Sequence, residues 1–164
     1  MSKKTKILLL GDHPMAPSGV GTQLKYVCEA LLRTGRYQFV CLGGAMKHHR
    51  YTPQKISGDQ WDDGDFIVHP VDGYGTPEMI RSLLWTEKPD VLMFMTDPRF
   101  YGWLWQMENE VRPLVPMVYY HVWDNYPYPR FNRQFYLSND HVACISKLTH
   151  DIVQTVAPEV NSSY

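Results

Sequence analysis

Short apolar runs alternate with amphipathic stretches along almost the whole chain, and this alternation limits the fold more than any other feature. Six runs read as strands: Lys6 to Leu10, Tyr37 to Leu42, Phe66 to Val71, Val91 to Met95, Met117 to Tyr120 and His141 to Ile145. Several are continuously apolar, as expected of strands buried on both faces of a parallel sheet. Between them lie helix signals. Ser18 caps a stretch whose apolar positions Val20, Leu24, Val27, Cys28 and Leu31 make one stripe, closed by Gly35. Thr76-Pro77-Glu78 combines a hydroxyl cap, a first-turn proline and a first-turn acid ahead of Met79, Ile80, Leu83 and Leu84. Asp97-Pro98 opens a third helix with Phe100, Leu104, Met107 and Val111 inward, stopped by Pro113. Ser146 caps a last one, with Leu148, Ile152, Val153 and Val156 inward and Pro158 ending it. The pattern implies βαβ units: an α/β, Rossmann-like parallel sheet with helices on both faces.

Two segments break the alternation. Residues 45–64 are polar and turn-rich, a long excursion with room for a short hairpin, and loops of that length inside a compact domain are often functional. Residues 124–139 form an aromatic, proline-bearing loop with a short helix around Arg130 to Leu137.

A chain of 164 residues can bury one core but not two of ordinary size. The domain is expected over 1–157, with 158–164 the start of a linker or tail. With 20% charged residues and a formal charge of −1, no global field recruits nucleic acid or an anionic membrane, so neither is expected as a partner. Lys47-His48-His49-Arg50 is the one candidate for a local basic patch. The first apolar run is too short for a signal peptide or a membrane span. Cys28, Cys41 and Cys144 sit among apolar neighbours without ligand spacing, as buried thiols of a reducing, cytoplasmic compartment would. The seven histidines show no HExxH or comparable spacing, so no metal and no tightly bound cofactor is expected.

In parallel α/β sheets ligands bind beyond the carboxyl ends of the strands. After the first run, Ser18, Gly19, Gly21 and Thr22 open a helix. Glycines there would let the helix N-terminus approach an anion, although a glycine-softened helix start explains them equally. The loop is neither a Walker A motif nor a dinucleotide fingerprint. After the fifth run comes His121, then Trp123 and Asp124. A histidine leaving a parallel strand suits hydrogen bonding or proton transfer near neutral pH. The alternative is a loop histidine satisfying backbone carbonyls. Trp123, Tyr126 and Tyr128 could stack on a sugar ring or roof the core. Asp97 and Ser146 read better as helix caps than as catalytic groups, and no G-x-S-x-G elbow accompanies the serine.

With these pieces in place, the sequence resembles the N-terminal domain of GT-B glycosyltransferases of the retaining GT4 type. Four segments carry the likeness: Lys6-Ile7-Leu8-Leu9-Leu10-Gly11 with Ser18-Gly19-Val20-Gly21-Thr22-Gln23; Lys88-Pro89-Asp90-Val91-Leu92; Val115-Pro116-Met117-Val118-Tyr119-Tyr120-His121; and Asp140-His141-Val142-Ala143-Cys144-Ile145-Ser146-Lys147. The aromatic stretch from Tyr119 to Tyr128 looks most like phage or environmental members. The resemblance implies an acceptor-side half of a two-domain transferase. It implies a nucleotide-sugar as donor substrate, a glycine loop serving the donor diphosphate at Gly19 and Gly21, a histidine near the reacting sugar at His121, and no metal. Nothing in these 164 residues resembles the half that would hold the nucleotide, with its paired glutamates. The chain alone is therefore expected to lack transfer activity, and to need that second domain or a partner chain. A bare edge could also drive homodimerisation. A non-catalytic α/β binding module is the alternative. A nucleotide-dependent oxidoreductase is disfavoured by the absent fingerprint.

Overall fold

The computed structural model describes residues 2–164. It contains eight strands, mostly parallel, interleaved with helices. Contacts divide the chain into two compact units, Met1–Leu92 and Met93–Tyr164.

In the first unit, β1 (Thr5–Asp12) runs parallel to β2 (Tyr37–Gly44), which runs parallel to β4 (Phe66–Pro70). The two-residue β3 (Gln54–Lys55) pairs antiparallel with β4, and this is the hairpin signal of the polar excursion. Every residue of β1 from Ile7 to Asp12, and of β2 from Phe39 to Gly44, is buried, which is why both read as unbroken apolar runs. Both strands continue through glycines that punctuate the sequence like turns. Gly44 is needed where it stands, because a Cβ there would lie 2.1 Å from the carbonyl oxygen of Gly73. Helix α1 (Gly19–Leu32) packs on β1 and β2 through Gly21, Leu24, Cys28 and Leu32. Helix α2 (Pro77–Glu87) begins at Thr76, whose Oγ1 accepts the Met79 N–H at 3.3 Å, and stops at Lys88 in the left-handed region, φ 47°.

In the second unit, strands β6 (Met117–His121), β7 (His141–Cys144) and β8 (Ser162–Ser163) are successive parallel neighbours. Strand β5 (Val91–Met95) begins at the unit boundary. Helix α6 (Lys147–Val156) is capped by Ser146, whose Oγ accepts the Thr149 N–H at 3.2 Å. A 3-10 turn over Arg130–Asn132 leads into the short helix α5 (Arg133–Leu137), where the sequence placed one.

Aromatic residues dominate the core of this unit. Phe94, Tyr101, Tyr119 and Tyr136 are fully buried, and Phe94 stacks on Tyr119 with ring centroids 5.0 Å apart. Polar tips are satisfied internally: Tyr101 Oη donates to the Met95 carbonyl at 3.0 Å, and Trp105 Nε1 to the Pro98 carbonyl at 2.7 Å. Buried Tyr and Trp require such partners.

Three expectations need correction. The third helix is not continuous: it is a 3-10 turn (Pro98–Tyr101) followed by α3 (Gly102–Gln106) and α4 (Glu108–Val111). Leu104, Met107 and Val111 are buried as expected, but Phe100 is exposed and Tyr101 and Trp105 join the buried stripe, because the tighter initial turn rotates the face. On α2, Met79 is half-exposed; it lines an open cleft of about 810 Å³ with Leu42, Pro70 and Val71 instead of closing the core. On α6, Leu148 is exposed and Thr149 takes the inward position, its Oγ1 donating to the Trp123 carbonyl at 3.0 Å.

Candidate functional site

The first unit holds Ser18, Gly19, Gly21 and Thr22; the second holds His121, Trp123 and Asp124. Each set lies at the carboxyl end of its strand, after β1 and at the end of β6.

At the end of β1 the buried Asp12 organises the start of α1. Ser18 Oγ donates to Asp12 Oδ2 at 2.5 Å and accepts the Gly21 N–H at 3.0 Å. Tyr74 Oη donates to Asp12 Oδ1 at 2.9 Å. Both carboxylate oxygens are thus engaged, and the loop is stitched to its strand. The two glycines differ. A Cβ on Gly21 would sit 2.8 Å from the His13 carbonyl oxygen and 2.9 Å from that of Ala16, so its missing side chain serves the chain's own packing. Gly19 is exposed and a Cβ there would meet nothing within 4 Å. Of the two, Gly19 is the one that leaves room for a ligand. Thr22 is exposed, and its N–H bonds to the Ser18 carbonyl at 3.0 Å.

The second set is built differently. His121 is the last residue of β6 and is 1% exposed. Its Nε2 lies 2.6 Å from Tyr136 Oη, and Asn132 Nδ2 reaches the same hydroxyl at 3.5 Å. His121 Nδ1 and Trp123 Nε1 are buried without a partner among the described residues. Both residues line a cleft of about 190 Å³ with Thr96, Asp97, Tyr119 and Asp124. Asp97 caps the 3-10 turn through the Arg99 N–H at 2.9 Å and binds the Arg99 guanidinium, which holds its carboxyl below the usual range. Arg99 also lies over the Trp123 ring, 5.6 Å from its centroid. Thr96 has φ 121°, a rare conformation for a β-branched residue. Its carbonyl accepts from Tyr119 Oη. Asp124 is exposed at the mouth, and Tyr126, 88% exposed, roofs no core.

One chemical expectation is overturned here. A histidine at this position was expected to titrate near neutral pH. Burial pushes His121 down to about 3, against a smaller opposing pull from Asp97. It is therefore a neutral imidazole that can hydrogen-bond, and a poor proton acceptor at pH 7. The supporting residues Asp12, Tyr74, Thr96, Asn132 and Tyr136 escaped sequence reasoning. Asp12 alone had a local signal, an acid at a strand end six residues before a helix cap.

With the geometry set out, the class of fold follows: an α/β, mostly parallel, Rossmann-like chain matching half of a GT-B glycosyltransferase. Two solved structures of an alpha-glucosyltransferase share it. One, in complex with UDP and a 13-mer DNA containing an HMU base, superposes at a TM-score of 0.57 with 11% identity, covering 98% of this chain and 42% of that one. The other, in complex with UDP and a 13-mer DNA containing a central A:G mismatch, gives a TM-score of 0.51 with 10% identity, covering 98% and 40%. This chain thus spans about two fifths of the length of these neighbours. No family model matches the sequence, and no curated protein does either. No helix among the described residues is long and apolar enough to cross a membrane.

Proposed function

We propose that this chain is the acceptor-side, N-terminal half of a retaining glycosyltransferase that uses a nucleotide-sugar, with the donor-binding half supplied by a second domain or a partner chain. The observation that carries the reading is the pair of buried, unpartnered ring nitrogens, His121 Nδ1 and Trp123 Nε1, on two residues that line one cleft where β6 ends. Unsatisfied buried polar atoms are costly, and two together argue for a ligand that completes them. His121 orients the sugar by hydrogen bonding. Ser18, Gly19, Gly21 and Thr22 serve the donor diphosphate, with Gly19 giving the access, and Trp123 and Asp124 border the sugar.

The test is a titration of the chain with UDP and with UDP- and GDP-sugars, followed by amide chemical shifts. Weak binding that moves Gly19 and His121 supports the reading. A chain that ignores all nucleotides, and binds only a protein partner, would make it a non-catalytic module instead. In the two-domain enzyme, His121→Ala should cut turnover strongly, and near-normal turnover would remove the residue from the site.

A second reading concerns the acceptor, and the loop after β2 favours it. Lys47 and Arg50 line a cleft of about 350 Å³ with His13, His48 and His49, and neither makes an ion pair among the described residues. The exposed Tyr51 packs its ring against His48, centroids 5.7 Å apart. Unpaired cations beside an exposed aromatic suit a nucleic-acid strand, and the structural neighbours hold DNA. The near-zero net charge excludes a global field but not this local one. With two phosphates neutralised, binding of a DNA duplex would weaken with a log–log salt slope of about −2. The double variant Lys47→Glu, Arg50→Glu should abolish it; unchanged binding would discard the reading.

A further inference from the structure

Two polar side chains behind the cleft have no role in the proposal so far, and their geometry sets the hydrogen on His121. We infer that Tyr136 is a positioning residue that holds His121 as the neutral Nδ1–H tautomer, so that the imidazole meets its ligand as a hydrogen-bond donor to a neutral oxygen. The tautomer stands on the chain's own geometry; the ligand rests on the proposed function.

Tyr136 is fully buried, and its hydroxyl lies 2.6 Å from His121 Nε2. A hydroxyl has one hydrogen to give. Asn132, also fully buried, directs its Nδ2 at the same oxygen, 3.5 Å away, and so donates to Tyr136. Tyr136 Oη could accept from both neighbours, but its own buried hydrogen would then have no acceptor among the described residues; His121 Nε2 is the acceptor in reach, so Tyr136 gives its hydrogen there. A ring nitrogen that accepts carries no hydrogen of its own, so the single hydrogen of the neutral imidazole sits on Nδ1. Burial keeps the ring neutral.

Nothing else competes for Nδ1. Tyr119, whose ring is 4.9 Å from that of His121, gives its hydroxyl to the Thr96 carbonyl. Asp97 is bound by Arg99. Trp123 Nε1 is a donor only, and it too is unpartnered. Two residues that line the cleft therefore each carry a buried N–H without a partner, with an engaged carboxylate on the cleft wall. Such donors call for oxygen acceptors. The cation beside the cleft, Arg99, is already paired with Asp97, so no free cation offsets the burial of a carboxylate or phosphate there, which favours a neutral oxygen such as a sugar hydroxyl. The opposite chain of hydrogens, with His121 Nε2–H donating to Tyr136, either leaves the Tyr136 hydrogen without an acceptor or turns the Asn132 amide over so that its Oδ1, unpartnered as it stands, takes that hydrogen; in both cases Nδ1 would be a bare acceptor.

Nitrogen-15 spectra of the imidazole rings distinguish the two. With His121 assigned by the signal lost in His121→Asn, the wild-type chain is expected to show a protonated Nδ1 and a bare Nε2. In Tyr136→Phe, the preference for Nδ1–H should be lost while the other histidines keep their signals. A protonated Nε2 in the wild type, or an unchanged His121 in Tyr136→Phe, overturns the tautomer. The wild-type spectrum decides this even if Tyr136→Phe does not fold. Glucose, and not inorganic phosphate, should then move the His121 Nδ1 and Trp123 Nε1 signals. Movement by phosphate alone, or by neither, overturns the neutral-oxygen ligand and leaves the tautomer standing.

Discussion

Acid should loosen this fold through His121, and the size of the effect follows from its burial. In the unfolded chain the ring titrates near 6.5, and in the folded chain at about 3. The folded state therefore refuses a proton that the unfolded state accepts. Stability is full above pH 6.5, falls by about 1.4 kcal/mol per pH unit below it, and stops falling near pH 3. At about pH 5 the loss is about 2 kcal/mol, a large share of the 5 to 15 kcal/mol typical of a domain. The ring is 1% exposed, so solvent screening hardly reduces this. Asp97 is the one nearby charge that pulls the other way, and Tyr119 and Tyr136 stay neutral throughout because burial raises both hydroxyls. His13 adds to the background, since burial lowers it too. The assay is urea unfolding of wild type and His121→Asn at pH 7 and pH 5. The wild type should lose about 2 kcal/mol more than the variant between the two, equivalent to about 4–8 °C in Tm. Parallel losses in the two proteins would mean that His121 is hydrated in solution, and the neutral-donor chemistry assigned to it would fall with the result.

The two glycines in the first turn of α1 should part company: Gly21→Ala forces a methyl against two carbonyl oxygens and is expected to cost about 1–3 kcal/mol, while Gly19→Ala is neutral or slightly stabilising in thermal melts. Equal effects would undo the distinction between a packing glycine and an open one. Asp140 accepts the Met117 N–H at 2.8 Å and Arg112 Nη2 at 3.0 Å, so Asp140→Ala should destabilise by about 1–2 kcal/mol, more than Arg112→Ala does. The reverse order would mean that the exposed ion pair outweighs the backbone bond.

The strands were legible because each is a short apolar run bounded by punctuation. Their ends were not, because Gly11, Gly43 and Gly44 signal turns by propensity yet stay in the ladder, Gly44 with its backbone against the Gly73 carbonyl. The broken helix after β5 shows a second limit. Phe100, Leu104, Met107 and Val111 satisfy a helical period and the last three turn inward; Phe100 does not, because Tyr101 and Trp105 take the buried face of the first turn with their polar tips on the Met95 and Pro98 carbonyls. Two of the segments that carry the family likeness have a plainly structural task. Asp90 and Asp140 each precede a strand, and each uses a carboxylate oxygen to accept a backbone N–H, from Lys6 and Met117 respectively, at 2.8 Å. Each returns its own N–H to the same residue's carbonyl. The motif thus marks how parallel strands are started, and says nothing about what they bind.

The candidate site shows why chemistry is harder to read than fold. His121, Trp123 and Asp124 are adjacent in sequence and could be named, but their meaning depends on residues with no local signal. Asn132 and Tyr136 lie on a short, weakly amphipathic segment, and nothing in its spacing says that one hydroxyl will face an imidazole at 2.6 Å. Read without its surroundings, a histidine at a strand end is a titrating acid–base group. Buried among them, the same residue is a neutral ring with an unpartnered nitrogen, and it lines a cleft with Trp123, which carries a second unsatisfied donor. Leaving two such nitrogens bare costs stability, and Thr96 at φ 121° adds strain beside them. A core built for stability alone would have filled this cleft, so the cost argues that a ligand repays it.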